Sequence, residues 1–152
     1  MKSFIKKLVI FVCIFLLYSL PALIFKADKN FYNSIKKPFY APKPIYFSII
    51  WSVLYLIFSV YLAIKLTNKN IDKEAKISFI MNYIVSFFFN YVFFNLHNLF
   101  LAFGVTFLSF STGIIIFISL LKKNRYEAAI ITPYLIWTLF ASVLSAHIYF
   151  IN

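Results

Sequence analysis

Three sets of side chains repeat at helical spacing and could line a pocket between helices. Phe47, Trp51 and Tyr55 follow one another at intervals of four, which stacks their rings along one face of a helix. Tyr134, Trp137, Ala141 and Ser145, at intervals of three and four, form a second such face. Ser78, Asn82, Ser86 and Asn90, again four apart, run as a polar stripe down a hydrophobic stretch. Rings supply broad apolar contact, and a few amides and hydroxyls orient what lies between them. Each pattern also has a plainer reading. The aromatics suit an interfacial belt, and the Tyr134 face suits helix packing. The polar stripe suits interhelical hydrogen bonding, at about 1 kcal/mol per bond. Trp51 and Trp137 are the only tryptophans, and Trp137 lies well inside its apolar run, away from the usual interfacial position.

Other chemistries find less support. His97 and His147 fall near one side of the apolar runs, and imidazole binds haem iron, but isolated histidines there are usually solvated or hydrogen-bonded. No Cys/His set has zinc spacing, and no paired carboxylates, Ser-His-Asp set or glycine-rich phosphate loop occurs. Glu127 reads as a residue at the end of a span rather than a proton relay. Cys13 is alone, so no intramolecular disulfide forms. No metal or resident cofactor is expected.

The elements that position these side chains must cross a membrane. The 152 residues are 63% hydrophobic and 12% charged, with a mean hydropathy of +0.89, more apolar surface than a soluble domain of this size can bury. Five helical spans are expected, at about Leu8–Phe25, Ile45–Leu66, Ile77–Leu96, Leu99–Leu121 and Glu127–Ile151, in a single domain. The first is read as a retained span, kinked or ended near Pro21, because it exceeds a signal peptide's apolar region and no small-x-small cleavage site follows. The net charge of +11 is dispersed in short flanks, which argues for topology signals and against a nucleic-acid groove. Ten of the fifteen basic residues fall on the side of the N-terminus and five in the first connection, so the N-terminus is expected in the cytoplasm and the C-terminus outside. That first connection, roughly 26–44, is long and stiffened by Pro38, Pro42 and Pro44, and reads as a lid over the aromatic faces. The very short link at His97–Asn98 makes the third and fourth spans antiparallel neighbours. In the fourth span, Thr106, Ser109 and Gly113 share a face that suits either an internal contact or a homodimer. A sterol-type pattern runs through Leu56, Tyr61 and Lys65.

Two motifs give these features a family likeness. The stretch KPFYAPKPIYFSIIWSVLY keeps Lys37, Pro38, Pro42, Phe47, Trp51, Leu54 and Tyr55, and PYLIWTLFASVL keeps Pro133, Tyr134, Trp137, Phe140, Ala141 and Leu144, with Asn152 at the end. In both, and over most of the chain from about Phe31, the sequence resembles the TspO/MBR family of tryptophan-rich sensory proteins, whose animal member is the translocator protein or peripheral benzodiazepine receptor. It departs from the family pattern at Lys43, Ile45, Asn82, Ser86, Phe89 and Ser145. The resemblance implies an all-α bundle of five transmembrane helices with a cavity under the first loop, and makes a homodimer plausible. It also implies a hydrophobic ligand, such as protoporphyrin or another haem-like tetrapyrrole, a sterol or a benzodiazepine-site compound. On that basis Trp51, Trp137 and Tyr55 would stack on the ligand, with Phe47, Phe89, Ala141 and Ser145 beside it. Asn82 and Ser86 would hydrogen-bond to it, and Tyr32 and Pro42 would shape the lid. A receptor or carrier in contact with membrane lipid is the leading expectation. Two alternatives are a tryptophan-dependent porphyrin-degrading enzyme, for which the sequence offers no general acid or base, and a bundle that acts only through a partner protein.

Overall fold

In hydrocarbon a backbone N–H or C=O finds no solvent partner, and the chain meets that constraint with helices. The computed structural model describes residues 2–152, and no strand occurs among them. The order is α1 (Lys2–Ile24), α2 (Lys29–Ser34), α3 (Pro44–Thr67), α4 (Lys73–Asn90), α5 (Leu99–Leu121) and α6 (Arg125–Ile151). All but the short α2 are long and apolar enough to cross a membrane. The ends follow local chemistry. Asn98 and Asn124 cap α5 and α6, accepting from the N–H of Leu101 and Tyr126 at 2.9 Å each, and Pro44 opens α3, where its missing N–H costs nothing.

Two local features refine the expected spans. The first span neither ends nor loses its helix at Pro21; α1 runs through it to Ile24 with Pro21 buried. Proline gives no N–H to the carbonyl four residues back, and here the Tyr83 hydroxyl donates to that Leu17 carbonyl at 3.1 Å. The third span ends in a π-helical turn, Tyr91–Asn95, in which the Leu96 N–H reaches back five residues to the Tyr91 carbonyl at 3.0 Å. The wider turn buries the consecutive Val92 and Phe93 together.

The five long helices close a ring in the order α1, α4, α5, α6, α3, with α4 and α5 adjacent as their short link requires. Around this ring the backbones of α5 and α6 approach most closely and those of α3 and α6 least. Two apolar cores fill it. The inner core centres on Tyr18, Leu54, Phe58, Phe79, Ile116, Ile131 and Tyr134. The outer core, next to the first connection, centres on Ile35, Val92, Phe93, Ala102, Leu144 and Ile148.

Candidate ligand site

The two tryptophans fall on one seam. Trp51 leaves α3 and packs against Tyr134 of α6, ring centroids 6.2 Å apart, while Trp137 leaves α6 and packs against Phe47 of α3 at 5.5 Å. Each indole thus reaches across to a ring of the opposite helix. Tyr55 continues from Trp51 at 5.6 Å and stacks on Tyr18 at 5.3 Å; Phe140 stacks on Trp137 at 5.3 Å. Phe47 and Phe140 belong to the outer core and Trp51, Tyr55 and Trp137 flank the inner one, so the seam joins the two.

The polar stripe lies behind this seam. Asn82 is 1% exposed, and its amide is fully engaged. Its Nδ2 donates to the Ser109 carbonyl at 2.9 Å and the Thr112 hydroxyl at 2.8 Å, while its Oδ1 accepts from the Tyr134 hydroxyl at 2.9 Å. Ser86 sits 3.1 Å from the Ser109 hydroxyl and 3.4 Å from that of Tyr134. Asn82 and Ser86 therefore tie α4 to α5 and α6, and they meet the tryptophans only through Tyr134. The Ser78 hydroxyl turns back to its own helix, to the Glu74 carbonyl. Thr106, Ser109 and Gly113 face inward as well. A Cβ on Gly113 would stand 2.9 Å from Leu135 Cδ2 and 3.0 Å from Tyr134 Cε1 of α6, and Ser109 meets Asn82 and Ser86 of α4, so of the two readings offered by its spacing this stripe is an internal contact.

The remaining candidates lie toward the first connection. Phe89 stacks on Phe93 at 5.6 Å, and Tyr32 and Phe47 pack with it on the outer core. Pro42 is half-buried in the connection, Ala141 is buried and Ser145 half-buried on α6. Beneath the connection Tyr32, Phe47 and Phe89 pack with Ile35, Tyr40 and Ala41. An open groove of about 700 Å³ lies on the outer flank of the seam, lined by Ile49, Val53, Pro133, Ile136 and Trp137 among others.

The connection itself is pinned by groups whose partners the sequence did not indicate. Asn152, the last residue, accepts from the Lys36 N–H at 2.8 Å and donates to the Lys36 carbonyl at 3.1 Å, as a neighbouring strand would. Tyr40 hydrogen-bonds His147 Nδ1 at 2.9 Å. His97 stacks on Phe31 at 4.1 Å and meets Asp28 at 3.2 Å. Both histidines thus hold the connection. Asp28 caps α2, and its hydrogen bond from the Phe31 N–H, with smaller help from Asn30 and His97, keeps its carboxyl below the usual carboxylate range. Burial raises the Tyr32 phenol, over whose ring the Lys37 ammonium sits at 4.6 Å while donating to the Tyr32 and Ile35 carbonyls. At the far end of the seam Glu127 accepts from Tyr61 at 2.8 Å and pairs with Lys65, joining α6 to α3. Tyr61 and Lys65 are thereby turned away from the lipid-facing Leu56, which breaks up the sterol-type pattern.

The TspO/MBR family profile matches residues 9–151. The chain belongs to that family. Among its relatives is an uncharacterized membrane protein, YtaB, of Bacillus subtilis (strain 168), 32% identical over 147 residues, 95% of each chain. The Tryptophan-rich protein TspO of Bacillus cereus is 30% identical over 152 residues, covering 98% of this chain and 99% of the relative. That of Archaeoglobus fulgidus is 30% identical over 126 residues, covering 82% and 81%. Family membership and five spanning helices make this TspO/MBR protein an integral, multi-pass membrane protein.

Proposed function

We propose that this protein is a membrane receptor or carrier for flat, apolar ligands of the tetrapyrrole class, bound at the α3–α6 seam. One observation carries the reading: the chain's two tryptophans come from different helices and are crossed over one seam, each against a ring of the other helix. Stacked indole and phenol faces match a flat macrocycle, and the seam is held by rings rather than by close backbone contact, so it can part to admit one. Tyr134 forms the back wall, oriented by Asn82 and Ser86. The first connection, with Tyr32 and Pro42, roofs the outer end as a lid. Lys26, Lys29, Lys36 and Lys43 stand exposed there, a positive field for ligand carboxylates. The basic flanks of the opposite end support a cytoplasmic N-terminus, with this lid outside. Titration of the detergent-solubilised protein with protoporphyrin IX, followed at the Soret band, tests the reading. A saturable shift at one site per chain is expected; a shift that grows without saturation would refute it.

A further inference from the structure

Asp28, Asp72, Glu74 and Glu127 are the chain's four acids, and all but Asp28 lie at the end away from the first connection. Each of those three is already engaged by a lysine. Lys65 pairs with Glu127, Lys123 with Asp72 at 3.2 Å, and Lys122 stands 4.0 Å from Glu74. Ten basic residues share that end, so among the described residues seven keep their charge without an acid: Lys2, Lys6, Lys7, Lys69, Lys73, Lys76 and Arg125. Four of them fall on one pair of helices. α1 and α4 run parallel, with Tyr18 against Tyr83 and, farther along both, Phe25 against Phe87 and Tyr91. The bond from the Tyr83 hydroxyl to the Leu17 carbonyl sets their register. Lys7 lies ten residues before Leu17 and Lys73 ten before Tyr83, so both stand at one level, roughly 15 Å back along the helices. Lys6 and Lys76 lie within a turn of that level. α1 has no acid in its first turn, and the one acid in that of α4 is Glu74, held by Lys122. The lysines thus repel one another at two helix starts, where the peptide dipoles add to the repulsion. Beyond them both helices turn apolar side chains outward at helical spacing: Val9, Val12 and Leu16 after Lys6, and Ile77, Ile80 and Ile84 after Lys73.

We propose that this α1–α4 face binds an anionic phospholipid, its phosphate among Lys6, Lys7, Lys73 and Lys76 and its tails along the apolar strip. Charge selects the lipid. A zwitterionic headgroup brings a cation of its own toward the lysines, and an uncharged lipid brings no anion. Basic residues at span ends serve topology in any membrane protein. These four differ in that the acids near them are engaged elsewhere, so a charge from outside the chain must balance them. The face shares no residue with the α3–α6 seam and does not depend on the ligand bound there.

The test titrates the full chain, delipidated in detergent, with phosphatidylglycerol or phosphatidylcholine of the same tails and counts bound lipid by native mass spectrometry. The first phosphatidylglycerol should bind about tenfold more tightly than the first phosphatidylcholine, and Lys73→Gln with Lys76→Gln should lower that preference to about twofold. Lys69→Gln with Arg125→Gln removes the same charge from the same end, on the turn after α3 and at the start of α6, and should change the preference by less than about twofold. Glycerol phosphate, the head without its tails, should not displace the lipid. Helical circular dichroism and monodisperse gel filtration report that each variant is folded, so the readout needs no ligand of the seam. Equal binding of the two lipids, equal losses from the two double substitutions, or displacement by glycerol phosphate would overturn the proposal.

Discussion

Helix α6 has two neighbours and meets them in two ways. Against α5 it packs backbone to backbone, close enough that a single Cβ at Gly113 would collide with Leu135 and Tyr134, and Asn82 and Ser86 of α4 bridge Ser109 and Thr112 of α5 to Tyr134 of α6. Against α3 it meets mainly through rings, with one clasp of Tyr61, Lys65 and Glu127 at the end away from the first connection. In a membrane, lipid tails compete equally for apolar surface, so close approach and hydrogen bonds are what hold helices together. The first seam has close approach, with hydrogen bonds from α4 bridging its two helices, and acts as scaffold. The second lacks close approach over most of its length, and that compliance is what a ligand site requires.

The contrast can be broken at Gly113. Gly113→Leu should destabilise the protein by about 3 kcal/mol in denaturant unfolding, at the upper end of overpacking costs. The same change at Gly104, where a Cβ meets nothing within 4 Å, should cost almost nothing. Equal effects at the two glycines would remove the claim that α5 and α6 need close approach. Next in size, Asn82→Leu strips three hydrogen bonds from the scaffold and should cost about 2 kcal/mol. Because Tyr134 then loses its orientation, protoporphyrin affinity should fall as well; unchanged affinity would detach the network from the site. Smaller still, Asn152→Ala should loosen only the first connection, by about 1 kcal/mol, seen as faster amide exchange at residues 36–41 with global unfolding unaltered. The smallest effect is a pH dependence at α2. The Asp28 carboxyl is lowered in the folded chain, so its capping contribution is present above the ordinary carboxylate value of about 4 and is lost as pH falls through the lower folded value. The amide resonance of Phe31 should report that loss in the native protein and stay flat across the same range in Asp28→Asn.

Much of this architecture is legible in the sequence because the bilayer allows so few answers. Runs of apolar residues and their basic flanks mark the helices, and spacing by fours puts Trp51 with Phe47 and Tyr55. Spacing does not say which helix a face meets. Asn82 reads equally as lining or as interhelical bond until Ser109, Thr112 and Tyr134 are found around it. Glu127 reads as the end of a span because its partners lie more than sixty residues away. The π-helical turn at Tyr91 is silent, since it shifts a face by one residue without changing composition. The C-terminal asparagine matches the family pattern, but nothing along the chain points from it to Lys36.

The central claim is that Trp51 and Trp137 are two walls of one site. Protoporphyrin affinity, measured at the Soret band in folded wild type, Trp51→Ala, Trp137→Ala and the lipid-facing control Phe107→Ala, tests it most directly. The account predicts that both tryptophan variants bind about tenfold more weakly, the worth of one aromatic stack, and that the control binds as wild type does. Affinity unmoved by either tryptophan, or lowered as much by Phe107→Ala, would contradict it.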